Sequence, residues 1–531
     1  MKKTQFAADE RELSLDILME VSKGKFLNSA IEECFSAHTL DQRQKSFIKA
    51  LCDGVTERRL TLDYLIGRQL KTPFGKVKPA VRQILRMGAY QLKFMDSVPD
   101  YAAINECVKL TARRVSPSLK GFVNGVLRSV LKDETDIESI EDPSIRFSCP
   151  GWLIDELKVY PGQEYVERIL KASLEKQVLY ARVTRSFLLL RNPSPGRHHT
   201  INGVIGVASL RMTEEMAHDN ETIQESVNTN SAVEFVIEKM SDEGVVCEKS
   251  PLAGGAFVIK ETPVPLTELK AFRDGLFVIQ DISSQLCATV GVGVLLDEAY
   301  LTGLNGTDRK EPCNINEEVK ISGNDASDQA GLRVLDLCAA PGGKALHAAG
   351  ILGERGRVLA RDLSMAKVNK INETLLRLGY DNVDLQVGDA TVYEPSFEER
   401  FDLVIADLPC SGLGVVSRKP EIKYRLKPED IDSLAALQRS ILDNAVRYVK
   451  KGGLLLYSTC TLTAKENVGQ YEYLKTQKGL ESVDMDAYLP EAFRGRTGDK
   501  GFLQLIQGVD DTDGFFISLY RKLKLPTCHP E

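Results

Sequence analysis

Between residues 331 and 522, short apolar runs alternate with helix-patterned segments, and this alternation leaves few folds open. The runs are LRVLDLC (332–338), RVLA (357–360), VDLQVG (383–388), FDLVIAD (401–407) and GGLLLYST (452–459). Each suits one buried strand and is too short for a helix of ordinary length. Between them, MAKVNKINETLLRLG and SLAALQRSILDNAVRYV carry apolar residues at helical spacing. Strands that are apolar on both faces need helices on both sides, which predicts βαβ units and a parallel sheet. GFFISLYRK near the C-terminus predicts a last, antiparallel edge strand.

The rest of the chain divides by pattern. Residues 8–130 read as helices only, for example ERELSLDILMEVSKG with Leu13, Ile17, Leu18 and Val21 on one face. An acidic linker at 133–142 follows. We expect an all-helical unit over 1–140, a small α+β region over 146–292 with an insertion near 191–230, an irregular insertion over 293–330, and the α/β unit over 331–524. Residues 1–131 hold 22 Lys+Arg against 14 Asp+Glu, a net of +8, so the remaining chain carries −15 of the total −7. That asymmetry fits a basic module joined to an acidic body. No run approaches 18 apolar residues, and the N-terminus meets acids before any apolar stretch, so neither a membrane span nor a signal peptide is expected. The eleven cysteines show no paired spacing, and the six histidines form no ligand pattern with them. A reducing cytoplasm, no zinc and no other metal are therefore expected.

Ligands of open α/β sheets bind beyond the carboxyl ends of the strands. The first strand here runs into Asp336-Leu337-Cys338-Ala339-Ala340-Pro341-Gly342-Gly343-Lys344, then a helix. The glycines allow close approach, the helix N-terminus offers free N–H donors, and Lys344 could meet a carboxylate. The segment has neither P-loop nor GxGxxG spacing. Asp362 ends the second strand, placed for ribose hydroxyls, and Asp389 follows the third, placed for an adenine amino group. The series predicts adenosine bound without a pyrophosphate, and S-adenosylmethionine fits that description.

The fourth strand ends at Asp407-Leu408-Pro409-Cys410-Ser411-Gly412, and the fifth at Ser458-Thr459-Cys460-Thr461. Two cysteines thus project from adjacent strand ends over the cofactor crevice. Spacing does not say which one attacks. Arg418, Lys419, Lys423 and Arg425, just past the first of them, are candidates for contacts with a nucleic-acid backbone. Lys465 lies close to Cys460 in sequence.

CAAPGGK, DLPCSGLG with SRKPEIKYR after it, and LLLYSTCTLTAKENV resemble the motif series of bacterial Sun/RsmB-type 16S ribosomal RNA cytosine-5 methyltransferases of the NOL1/NOP2/Sun family. GLFVIQDISSQL extends the resemblance upstream, and AAINECVKL and GFVNGVLRSVL are similar to the NusB-type RNA-binding fold. Nearly the whole chain is covered apart from the two insertions. The resemblance implies a class I, Rossmann-like methyltransferase domain preceded by an all-α NusB-like domain and a small α+β linking domain. It implies Cys460 as nucleophile, Cys410 as the group assisting release, and Asp407 at the cytosine edge. Residues 338–344 with Asp362, Asp389 and Asp407 are implied as S-adenosylmethionine contacts, ribosomal RNA as the partner, and a monomer as the state. The second strand reads LARD where a small or apolar residue is more usual before the acid, and the sequence offers no account of Arg361. Other readings are a cytosine-5 enzyme acting on transfer RNA or 23S RNA, and a non-catalytic RNA-binding antitermination or assembly factor.

Overall fold

The computed structural model describes residues 9–185, 229–301, 331–477, 479–497 and 500–524. The N-terminal part is helical: α1 Glu10–Ser22, α2 Leu27–Ala37, α3 Gln42–Glu57, α4 Arg59–Gly67, α5 Pro79–Phe94, α6 Asp100–Arg114 and α7 Lys120–Lys132. Local chemistry sets the starts. Asp9 accepts from the amides of Arg11 and Glu12, and Asp41 with Gln44 forms a capping box on α3. The apolar faces, with Leu15, Ile48, Leu62, Ile84, Leu110 and Leu127, close one core.

Two short helices, α8 Gly151–Leu157 and α9 Val166–Ala172, lead into a mixed region. Here β1 Leu179–Val183, α10 Thr229–Asp242, β2 Val246–Lys249, β3 Ala256–Glu261 and β4 Phe277–Ile279 form an antiparallel sheet of order β2-β3-β1-β4 with a helix on it. The predicted insertion near 191–230 lies almost wholly outside the described residues. The long α11, Ile282–Leu301, is apolar all round because it lies against the C-terminal sheet and the helix of the first strand crossover. Residues 293–301, expected to begin an irregular insertion, continue this helix. Val294, Leu295, Leu296 and Ala299 are buried there, and that burial outweighs the turn-forming residues that follow.

The C-terminal part contains β5 Leu332–Asp336, α12 Gly343–Leu352, β6 Gly356–Asp362, α13 Met365–Leu378, β7 Val383–Val387, β8 Phe401–Asp407, α14 Pro428–Tyr448, β9 Val449–Thr459, α15 Val468–Thr476, β10 Leu480–Ser482, β11 Phe502–Leu505 and β12 Phe515–Lys522. The sheet order is β10-β12-β9-β8-β5-β6-β7, with β11 also on β12. Strands β5 to β9 pair in parallel, and β12 pairs antiparallel to β9. The chain winds outward from β5 in one direction and returns through β8 and β9 in the other, so a crevice opens beyond the carboxyl ends of β5 and β8. Strand β12 is not the predicted edge. Phe515 to Tyr520 are buried on both faces, and β10 and β11 cover the side away from β9. No helix among the described residues is long and apolar enough to cross a membrane, and no cluster there could hold a metal ion.

Candidate active site

At the crevice, Gly342 takes φ +107° before α12, a backbone region that glycine enters without strain. Asp362, at the end of β6, accepts from the Ala340 amide at 2.9 Å and the Leu363 amide at 2.7 Å, and pairs with Lys367 at 3.0 Å. Its side chain is only 3% exposed. Holding the 338–344 loop is thus its first task, with spare acceptor capacity for a ribose hydroxyl. Ala339 donates its amide to the Arg361 carbonyl, which ties the same loop to β6. Asp389 is exposed, and its carboxyl is held below the usual range by Thr391, through the hydroxyl and then the amide. Leu363 and Val392, each 60% exposed, flank these two acids. Apolar side chains left in water beside two carboxylates suit a flat, polar-edged ring such as adenine. The residues present therefore fit an adenosyl group.

Asp336, not singled out from sequence, lies directly beneath. It is 1% exposed, and burial followed by Asp407 pushes its pKa up to about 7. Lys344 does not stand free for a carboxylate ligand. It pairs with Asp407 at 2.7 Å, and Ser458 Oγ donates to the other Asp407 oxygen at 2.8 Å. Burial alone would depress Lys344, but Asp407 keeps it firmly protonated. Arg361 is buried over the Phe397 ring and donates to the Asp389 carbonyl. It fills the space that the missing side chain of Gly388 leaves, since a Cβ there would come within 2.1 Å of Arg361 Nε.

The two cysteines meet. Cys410 Sγ and Cys460 Sγ are 3.4 Å apart, both half-buried at the ends of β8 and β9. Their surroundings differ. The hydrogen bond from Cys410 lowers the pKa of Cys460, with Lys344 and Lys419 adding to the effect. Cys410 is pushed well up by Cys460 and by burial, then by Glu466 and Asp407. The arrangement favours a Cys460 thiolate with a Cys410 thiol donating to it. A glycine permits this approach: the Gly414 amide donates to the Cys460 carbonyl at 3.0 Å, and the Gly514 amide to the Gly414 carbonyl at 2.9 Å. A Cβ on Gly414 would lie 2.0 Å from the Gly514 oxygen.

Two of the four basic residues expected to meet a nucleic-acid backbone are turned inward, and a third, Arg425, is exposed. Lys423 is 2% exposed and donates to the Glu57 carbonyl at the end of α3. Arg425 stacks on Phe26 just before α2. Arg418 bridges Asp281 and Asp513. Their neighbour Glu421 accepts from the Leu27 amide at the start of α2, so this segment matches acid to helix start and base to helix end. Only tertiary packing reveals these partners, which lie 95 or more residues away in the chain. Lys419 remains exposed, without an ion pair among the described residues. Lys465 pairs with Asp432 at the surface and contributes nothing to Cys460.

Residues 326–521 match the family model described as 16S rRNA methyltransferase RsmB/F, and residues 8–132 match that of the NusB family. A protein named as a probable ribosomal RNA small subunit methyltransferase B in Bacillus subtilis (strain 168) is 31% identical over 531 residues, covering 98% of this chain and all of that one. A ribosomal RNA small subunit methyltransferase B of Salmonella paratyphi A (strain ATCC 9150 / SARB42) is 30% identical over 485 residues, covering 91% and 90%. Among solved structures, that of PH0851 superposes with a TM-score of 0.68 at 20% identity, covering 97% of this chain and all of that one, and so shares the fold.

Proposed function

The chain belongs to the ribosomal RNA small subunit methyltransferase B family and is a methyltransferase acting on ribosomal RNA with S-adenosylmethionine; from that membership we propose that it methylates carbon 5 of a cytosine in 16S ribosomal RNA, with Cys460 as nucleophile. The observation that carries this reading is the pair of thiols 3.4 Å apart beside the Lys344–Asp407 pair.

Carbon 5 of cytosine is a weak nucleophile while the ring is aromatic. The Cys460 thiolate adds to carbon 6, forming an S–C bond and pushing the ring electrons toward carbon 5. Asp407, fixed by Lys344 and Ser458, lies at the base edge and stabilises the proton and charge at ring nitrogen 3. S-adenosylmethionine, which residues 338–344, Asp362 and Asp389 would hold, would supply the methyl group from its sulfonium and leave as the neutral thioether. A base then takes the carbon 5 proton, and the C–H electron pair re-forms the ring double bond as the C–S bond breaks and the Cys460 thiolate departs. Cys410, already hydrogen-bonded to that sulfur, assists the departure. The target base must leave its stack to enter the site, at a cost of a few kcal/mol that is smaller in an RNA loop. The NusB-like helices, with their +8 balance, supply phosphate contacts, and Lys419 is the exposed cation beside the thiols.

The test is methyl transfer to unmodified small-subunit RNA by single cysteine variants. Cys460→Ala abolishes transfer, and Cys410→Ala accumulates a covalent protein–RNA adduct on denaturing gels. Full activity in Cys460→Ala, or an adduct in Cys460→Ala and none in Cys410→Ala, overturns the assignment. Mapping the modified base decides between 16S RNA and transfer or 23S RNA.

A further inference from the structure

A buried polar network lies beneath the two thiols and is centred on Glu466, which is 0% exposed. One carboxylate oxygen accepts from the Ser411 amide at 2.8 Å and from Gln438 Nε2 at 3.2 Å. The other is met by the hydroxyls of Ser411 and, at 2.8 Å, Thr463. Gln438 also donates to the Pro409 carbonyl at 2.9 Å, and Tyr457 donates to the Glu466 carbonyl. A single carboxylate six residues past Cys460 therefore grips the residue that follows Cys410. Two of its donors, the Ser411 and Gln438 N–H groups, cannot act as acceptors, and both hydroxyls can turn to donate. A set of four donors suits an ionised acceptor.

We infer that Glu466 is a positioning residue that sorts the two thiols: it fixes the Cys410 loop against Cys460 and, as a buried anion on the Cys410 side, reserves the thiolate for Cys460. The inference rests on the reading of Cys460 as nucleophile. Four groups face Cys410: Cys460, Glu466, Asp407 and Tyr457. Those facing Cys460 are Cys410, Asp407, Lys344 and Lys419. Both lysines thus act on Cys460, Asp407 opposes ionisation of either thiol, and Glu466 acts on Cys410. Burial raises the pKa of Glu466 itself against the pull of its donors. The sorting is therefore complete only above that titration and fades as the pH falls through it.

The test uses the full chain without RNA or methyl donor, so it stands apart from the identity of the target base. Iodoacetamide alkylation of Cys410 and Cys460 is followed by peptide mass spectrometry from pH 5 to 9. In the unmodified protein Cys460 reacts about tenfold or more faster than Cys410 at neutral pH, and the ratio falls toward pH 5. Glu466→Gln keeps the shape, and its new amide can donate to the two hydroxyls. It brings the two rates within about threefold by raising that of Cys410. An unchanged ratio in folded Glu466→Gln means that the carboxylate is structural only and overturns the inference. Should that variant not fold, a wild-type protein in which Cys410 is alkylated as fast as Cys460 at neutral pH overturns it equally.

Discussion

Lys423 is held almost fully buried against the helical domain, and replacing it with methionine should stabilise the protein. Burial lowers its pKa from 10.5 to about 8. At 1.36 kcal/mol per tenfold, keeping that charge at pH 7 costs about 3 kcal/mol. The hydrogen bond to the Glu57 carbonyl returns about 1 kcal/mol. That carbonyl is not orphaned in the variant, because Tyr424 also donates to it at 3.2 Å. The Glu57 carboxyl, pushed up to about 7 by burial and then by Asp53, loses the attraction of Lys423 and stays neutral more readily. Lys423→Met should therefore gain about 2 kcal/mol at pH 7. The pKa is depressed on folding, so the penalty is fully present below about 8 and vanishes as the pH rises past 10.5; the gain should follow it. Trp152, the one tryptophan in the chain, packs on the cluster that holds Leu413, Val416 and Ile422, and its fluorescence reports this junction in urea titrations at pH 7 and pH 10. A loss of 2 kcal/mol or more at pH 7, or a difference that is equal at both pH values, would refute the reasoning. The KM for RNA should stay within about twofold, since a side chain buried between domains meets no phosphate.

Lys419→Ala should have the opposite profile: unchanged stability, a raised KM for RNA, and a log–log salt dependence shallower by about 0.7 to 0.9, measured by RNA binding from low to moderate salt. Asp336→Asn removes a buried carboxyl whose folded pKa, about 7, exceeds its ordinary 3.8. Folding then favours the protonated acid, so the cost of ionising it is absent below pH 4 and complete above pH 7. The variant should raise the melting temperature at pH 8 and leave it unchanged at pH 4, with up to about 4 kcal/mol involved.

The parallel sheet, its crevice and the two thiols beside it were legible because they rest on short-range pattern. Four of the five strands end at or just before an acid or a glycine (Asp336, Asp362, Gly388 and Asp407), and period and punctuation survive in one dimension. The segment after Cys410 was only half legible for the converse reason. Its charge says that it can bind an anion, but Arg418 and Lys423 are occupied by Asp281 with Asp513 and by the Glu57 carbonyl, while Lys419 and Arg425 stay exposed. The predicted edge strand failed likewise: Phe515–Lys522 reads as a C-terminal strand, and nothing local shows that β10 and β11 return to cover it.

Sequence alone thus determined the layers of the fold, the loop that follows the first strand and the placing of Cys410 and Cys460 at one sheet edge; the choice between them as nucleophile is what the resemblance implies. Tertiary structure alone decided the electrostatics of that pair. Lys344 turns to Asp407, the charge of Lys419 favours a Cys460 thiolate, and Glu466 grips the residue that follows Cys410. The reason is physical: a thiol's ionisation depends on the charges and burial around its sulfur, and in this chain those charges come from four separate strand ends and loops.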